Sequence, residues 1–183
     1  SNNEQNAELV KQALDQFECG KVWTPGLCNL ARDINRFGQS KVAVWHKKYA
    51  AAGNGLGGAS TWEPVLCVGP FTRKKLDNDF LQIMTDREEV NGVSLRELHS
   101  CPKPVALYAL LVEAFTNVDE LIFEPFCESG TTLIACEQKK RKCFATEIDP
   151  KYCDVIVQRW ENLTGKKAER VPAEEGDAST VES

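Results

Sequence analysis

The pattern of apolar and polar positions changes about halfway along the chain, from isolated elements to a regular alternation. In the first half, apolar residues at helical spacing predict helices over 4–18 and 27–37. Shorter apolar runs predict strands over 21–25, 41–47 and 62–69. The continuous apolar character of the strand at 41–47 further predicts burial on both of its faces.

Three segments lack this periodicity. The stretch 50–60 is rich in glycine and predicts a flexible loop, with a loop on the substrate side as the alternative. Residues 70–98 are polar and predict a surface excursion, and the acidic residues 168–183 predict a disordered tail. We therefore expect one domain over 1–167.

The second half alternates strands and helices. The pattern predicts a helix over 104–116, a strand over 121–126, a helix over 131–140, a strand over 142–148 and a helix over 150–163. Proline at the first turn of the first helix, and an Asp-Pro pair opening the last one, are typical of helix starts. This series predicts an α/β, Rossmann-like fold with a mostly parallel sheet and flanking helices.

Composition adds limits to this picture. With 183 residues, 42% hydrophobic and 27% charged, the chain is long enough for one domain with a real core. No apolar run reaches the length of about 20 residues that spans a bilayer. A net charge of −5, supplied mainly by the tail, argues against a general nucleic-acid coat protein.

The eight cysteines predict small buried side chains in a reducing, intracellular compartment, which would be the cytoplasm or nucleoid, or the nucleus in a eukaryote. No C-x-x-C pair occurs and only two histidines are present, so no metal site is predicted.

The chemistry is predicted to lie where the strand at 121–126 ends. Its turn places Gly130 at the start of a helix, whose free N–H groups suit a carboxylate or phosphate. Glu147 ends the next strand, where an acid can accept the two hydroxyls of a ribose. The ligand is then a nucleotide or S-adenosylmethionine, and the absence of both phosphate-binding glycine patterns weakly favours the latter.

Residues 123–160, FEPFCESGTTLIACEQKKRKCFATEIDPKYCDVIVQRW, resemble the D-P-F-x-G-S-G-T-T … E-I-D-x-x-Y stretch of the β-group DNA amino-methyltransferases. HSCPKP at 99–104 is similar to their H-P-x-x-K-P segment, and AVWHKKYAAAGNGLG followed by WEPVLCVG resembles phage-type members. The resemblance extends over roughly 20–165 and makes 99–165 the donor-binding part.

The resemblance implies a site-specific enzyme of the restriction-modification type. It would transfer a methyl group from S-adenosylmethionine to adenine N6 or cytosine N4 of double-stranded DNA whose target base is flipped out. The residues that match the family's donor-binding positions are Lys103, Pro104, Phe126, Ser129, Gly130, Thr131, Thr132 and Glu147. Read singly, the phenylalanine predicts only core packing, the threonines only helix caps and the glutamate only a solvated acid.

Two departures limit this expectation. The family's catalytic [DNS]-P-P-[YFW] tetrapeptide occurs nowhere in the chain, so no catalytic residue is predicted here and we expect a domain truncated at its N-terminus. Glu128 stands where the family has glycine, and Glu124 replaces its aspartate. The alternative prediction is therefore a degenerate, non-catalytic module that binds DNA or a partner subunit. A partner subunit or a homodimer is also a predicted assembly for the enzyme. The segment 45–47 is a further candidate for the DNA-facing side, with a solvated sheet edge as the alternative.

Overall fold

A computed structural model describes residues 19–24, 33–35, 40–47, 61–84, 89–98 and 102–172. Within these ranges the strands are β1 (Lys21–Trp23), β2 (Lys41–His46), β3 (Trp62–Val68), β4 (Phe80–Gln82), β5 (Glu89–Val90), β6 (Val93–Ser94), β7 (Leu121–Glu124) and β8 (Lys142–Ala145). The helices are α1 (Leu95–Leu98), α2 (Val105–Phe115), α3 (Thr131–Lys139) and α4 (Pro150–Thr164).

The first half of the chain builds a four-stranded sheet in the order β1-β3-β2-β4. β3 is antiparallel to both of its neighbours, whereas β2 and β4 are parallel. Residues 64–67 of β3 are buried without interruption, as in a strand that is covered on both faces. β2 instead alternates, with Ala43 and Trp45 buried and their neighbours half-buried, so the prediction of full burial on both faces of this strand is wrong.

The second half has the predicted alternation. β7 and β8 pair in parallel, and α3 connects them. Asp149 caps α4 by accepting a hydrogen bond from the Lys151 N–H at 2.9 Å, and Pro150 occupies the first turn. The predicted helices and strands of this half are confirmed within two or three residues at each end. The Rossmann-like fold is also confirmed, although the described strands form a mixed arrangement rather than a mostly parallel sheet.

Helix α2 joins the two halves because it is apolar around much of its circumference. Leu107 and Leu111 pack into the core over the four-stranded sheet. Ala109 and Val112 pack against Ala135 and Cys136 of α3. Tyr108 contacts both clusters, so one helix seats the β7–α3–β8 unit on the rest of the molecule.

The segment 70–98 is more than a surface excursion. Its residues 80–82 form β4, which extends the sheet beside β2, and Leu81 is buried in the main core. The sequence does not predict β4, because a three-residue strand with one buried side chain leaves no periodicity. In the predicted disordered tail, the Ala168 N–H donates to Glu161 at 3.0 Å, and residues up to 172 are described.

Several predictions lie outside the described residues. These are the helix at 4–18, most of the helix at 27–37, the glycine-rich loop at 50–60 and the last part of the acidic tail. Among the helices that are described, none has the length and apolar character needed to cross a membrane.

Replacing Leu107 by alanine should lower the free energy of unfolding by about 2–5 kcal/mol, because it opens a cavity where α2 meets the sheet. Leu121 is the matched control, since its side chain is 66% exposed on the outer face of β7. Leu121→Ala should change stability by no more than about 0.5 kcal/mol. Denaturant titration of both variants measures the difference, and equal losses would contradict the placement of α2.

Candidate functional site

The turn that links β7 to α3 is held to the end of β8. The Cys127 N–H donates to the Thr146 carbonyl at 3.0 Å, and the Thr146 N–H donates to the Glu124 carbonyl at 2.9 Å. The Gly130 N–H closes the turn by donating to the Cys127 carbonyl at 2.7 Å. The site is therefore built where the carboxyl ends of two parallel strands meet, the usual ligand-binding edge of such sheets.

Gly130 is required at its position for two reasons. Its φ of +85° lies in the left-handed region that L-residues rarely adopt. A Cβ atom there would also lie 3.0 Å from Cγ1 of Ile156, which packs against the turn from α4. Glycine thus permits both the turn and the close approach of α4.

No side chain caps the N-terminus of α3. The first hydrogen bond of the helix is donated by the Ile134 N–H to the Gly130 carbonyl at 3.0 Å. The N–H groups that precede it in the helix have no intrahelical acceptor, and they carry the positive end of the helix dipole. This terminus suits an anionic group.

Glu147 follows β8 and is half-buried at the same edge. Its carboxylate accepts the Glu128 N–H at 2.7 Å and the Asp149 N–H at 2.9 Å. A carboxylate offers about four acceptor positions, so two remain for hydroxyl groups of a ligand. Ile148 lies beside it and is 96% exposed. The sequence did not lead us to this residue, although an apolar side chain next to a candidate ribose-binding acid was the available signal.

Glu124, which replaces an aspartate, stabilises the turn from within. Its carboxylate accepts the Thr132 hydroxyl at 2.6 Å and the Phe126 N–H at 3.1 Å. Burial raises the pKa of Glu124, the two hydrogen bonds oppose that rise, and the nearby charge of Glu128 adds to it. The longer side chain therefore still reaches the turn and the start of α3.

Glu128 adopts a φ of +48°, in the left-handed region that favours glycine over residues with a Cβ atom. Its backbone N–H points to Glu147, and its own side chain is exposed. The glutamate thus leaves the interior of the turn open, but it adds negative charge at the rim.

Arg159 of α4 was not singled out from the sequence, yet it contacts the turn directly. Only 3% of it is exposed, and its Nη1 donates to the Ser129 carbonyl and lies 3.5 Å from the Thr131 hydroxyl oxygen. The signal was its spacing, since an arginine seven residues after Tyr152 and three after Ile156 falls on the apolar stripe of the helix.

The predicted Lys103 reaches the turn through its backbone, because its carbonyl accepts the Thr131 hydroxyl at 3.3 Å. Its ammonium instead donates to Glu63 at 2.7 Å, and Lys47 donates to the same carboxylate. Burial would raise the pKa of Glu63, but these two lysines outweigh burial and hold that pKa below its ordinary value. Pro104 is buried at the N-cap of α2.

The hypothesis that 45–47 faces DNA does not agree with the structure, because this segment belongs to a largely buried cluster of Trp45, Lys47, Glu63 and Lys103. Trp45 is buried and donates its indole N–H to the Ile83 carbonyl at 2.9 Å, while Lys47 is buried against Glu63. Both lysine ammoniums lie over the Trp45 ring, Lys47 at 5.1 Å and Lys103 at 5.8 Å from its centroid. The cluster anchors the segment before α2 to the sheet.

Taken together, the structure gathers six of the eight predicted residues at one edge, namely Phe126, Ser129, Gly130, Thr131, Thr132 and Glu147. Lys103 and Pro104 adjoin this group through the chain that enters α2. Phe126 is 58% exposed, so it is not a core residue. A separate cavity of about 700 Å³ between α3, β8 and α4 contains none of the eight.

The chain is similar to known DNA methyltransferases. The family model described as DNA methylase, of the N6/N4 class, matches residues 2–158. A curated relative, the type II methyltransferase M1.MboII of Moraxella bovis, is 30% identical over 66 residues, which cover 36% of this chain and 25% of that protein. The orphan methyltransferase M.BamHII of Bacillus amyloliquefaciens is 37% identical over 49 residues, or 27% of this chain and 18% of the relative.

Solved structures share the fold at low identity. M1.HpyAVI in complex with SAM superposes with a TM-score of 0.58 at 18% identity, covering 77% of this chain and 74% of that one. The cytosine-N4-specific PvuII DNA methyltransferase has a TM-score of 0.58 at 17% identity, covering 72% and 55%. In the sequence comparisons with the two curated relatives, by contrast, the aligned part of this chain spans a quarter or less of the relative's length.

Replacing Glu128 by glycine should raise the free energy of unfolding by up to about 1 kcal/mol, because the left-handed backbone no longer opposes a Cβ atom. Lys140 offers a matched control, since it has a φ of +58° at the other end of α3. Lys140→Gly should give a similar gain. Thermal denaturation tests both, and a loss of stability in Glu128→Gly would refute the strain.

Replacing Glu124 by glutamine should make the protein less sensitive to rising pH. The raised pKa means that wild-type Glu124 favours the folded state below the ordinary carboxyl pKa, and that this advantage is lost as the pH rises through the folded-state pKa. The variant should therefore gain stability relative to wild type as the pH rises past the ordinary carboxyl pKa, as measured by urea titrations at a series of pH values.

Glu120 provides the opposite case. Hydrogen bonds from Asn117 and then Thr72 lower the pKa of this exposed carboxyl. Its contribution is present above the ordinary pKa and is lost as the pH falls, so Glu120→Gln should show the reverse trend in the same urea titrations. Parallel pH trends in the two variants would contradict the assignment for Glu124.

Proposed function

Since the chain belongs to the DNA methylase family, we propose that it holds S-adenosylmethionine at the turn before α3 and serves in methyl transfer to DNA. The acceptor would be the exocyclic amino group of adenine or cytosine. One observation supports this most directly: the uncapped N-terminus of α3 and the Glu147 carboxylate lie at the same sheet edge.

The residues present fit the donor's three parts. The N-terminus of α3 would bind the carboxylate of the methionine moiety, because no side chain caps its first N–H groups and the helix dipole is positive there. Glu147 would accept the ribose hydroxyls with its remaining lone pairs. Exposed Ile148 and Phe126 supply apolar surface for the adenine ring.

The bound donor would supply an activated methyl group on a sulfonium. The described residues would hold it and orient it, which lowers the barrier by bringing the reacting groups together. The target amino nitrogen is a weak nucleophile because its lone pair delocalises into the ring. No tetrapeptide of the [DNS]-P-P-[YFW] kind is present in the given sequence, so we assign none of its residues to binding the flipped base.

Glu128 favours a second candidate, a module that has lost donor binding and contacts DNA or a partner chain. Its charge lies close enough to raise the pKa of Glu124, and it would repel a donor carboxylate at the same turn. The donor's ammonium group would instead be attracted. Only the affinity of the protein for the donor separates these two candidates.

Calorimetric titration with S-adenosylmethionine tests the proposal. Wild type should bind saturably, and Glu147→Gln should weaken binding by about 10-fold or more, because a charged acceptor for the hydroxyls is lost. Glu113→Gln is the control, since this exposed glutamate of α2 pairs with Lys139 away from the turn. Its affinity should match that of wild type.

Two other outcomes would each support a different function for this chain. Absence of heat at millimolar donor with wild type, together with binding by Glu128→Gly, would assign the chain to the degenerate class. Saturable ATP binding without S-adenosylmethionine binding would make it a nucleotide-binding domain.

A further inference from the structure

The buried guanidinium of Arg159 lies directly behind the turn. It donates to the Ser129 carbonyl and approaches the Thr131 hydroxyl, the two residues that flank Gly130. The N–H of the same Ser129–Gly130 peptide is also used, because Gly130 donates to the Cys127 carbonyl at 2.7 Å. Both polar ends of this peptide are therefore fixed from opposite sides.

An arginine at this position is costly as a packing residue alone. Transferring a guanidinium from water into a site that is 3% exposed carries a desolvation penalty, which hydrogen bonds and charge interactions must offset. An aliphatic side chain would continue the stripe formed by Tyr152 and Ile156 without that penalty. The charge is thus better explained by what it does to the turn.

Its position affects the turn in two ways. By holding the Ser129 carbonyl, Arg159 stabilises the peptide plane that gives Gly130 its left-handed conformation and starts α3. Its full positive charge also adds to the partial charge of roughly +0.5 at a helix N-terminus. The low local exposure leaves this charge little screened by solvent.

We propose that Arg159 is a positioning residue for the anionic end of the methyl donor. It acts through Ser129 and Thr131, shaping the N-terminus of α3 and raising its positive potential. The inference rests on the proposed function for the ligand, but the effect on the turn is a property of the chain alone.

Two ligands separate this role from general stabilisation. S-adenosylmethionine carries the amino-acid carboxylate, whereas 5′-methylthioadenosine keeps the adenosine part and lacks it. Arg159→Met should weaken binding of S-adenosylmethionine by about 10-fold or more and change binding of 5′-methylthioadenosine by less than about 3-fold, as expected for a lost charge-assisted interaction. Arg159→Lys, which keeps a charge and a donor, should recover part of the loss.

Amide hydrogen exchange in the absence of ligand gives the second readout. Arg159→Met should lose protection locally, at the amides of 130–134, relative to the remainder of the protein. Leu107→Ala is the control for general destabilisation, because Leu107 lies in the core away from the turn. Leu107→Ala should not lower the affinity for S-adenosylmethionine relative to that for 5′-methylthioadenosine. If Arg159→Met fails to fold, Arg159→Lys is compared in its place.

The proposal would be overturned if Arg159→Met weakened the binding of both ligands equally. It would also be overturned if Arg159→Met changed the affinity for S-adenosylmethionine relative to 5′-methylthioadenosine no more than Leu107→Ala does. If wild type binds neither ligand, the proposed function fails, and hydrogen exchange alone decides the positioning role. Unchanged protection at 130–134 in Arg159→Met would then refute it.

Discussion

The backbone turn at 127–130 is the constraint on which the site depends. Two of its residues have positive φ, and a Cβ atom at Gly130 would lie only 3.0 Å from Cγ1 of Ile156. Such a conformation persists only when its surroundings over-determine it. Hydrogen bonds from the end of β8, from Glu147 and from Arg159 supply that support. This turn brings the N-terminus of α3 and the Glu147 carboxylate to the same sheet edge.

The position of this turn depends on the packing of α2. This helix buries one side against the four-stranded sheet and another against α3, so the strand–helix unit is held by apolar contact over both faces. The residues that enter α2 add polar contacts: Lys103 is paired with Glu63 of β3, and its carbonyl meets Thr131. Packing and polar contacts therefore place the start of α3 against the sheet independently of any ligand.

Negative and positive charge lie on different sides of the site. The carboxyl groups stand at the sheet edge, which we call the rim, and the Arg159 guanidinium lies buried behind the turn. Glu124, Glu128 and Glu147 bring three carboxyl groups to the sheet edge. Glu147 accepts the Glu128 N–H within the turn, and Glu124 accepts the N–H of the residue just before it. The buried guanidinium of Arg159 stands behind this group. A ligand with a ribose, a carboxylate and cationic groups matches that division better than a polyphosphate does, because phosphates would meet carboxylates at the rim. This is the physical ground for preferring a sulfonium donor to a nucleotide.

The sequence alone determined the strand–helix series after residue 102, because caps, proline positions and apolar periodicity are local signals. It also indicated the turn and Glu147, since glycine and an acid at successive strand ends have a direct chemical meaning. Only the tertiary structure decided that β4 joins the core, that Lys103 turns to Glu63, and that Arg159 reaches Ser129. Those contacts join residues at least 30 positions apart, and long-range partners leave no pattern in a single sequence.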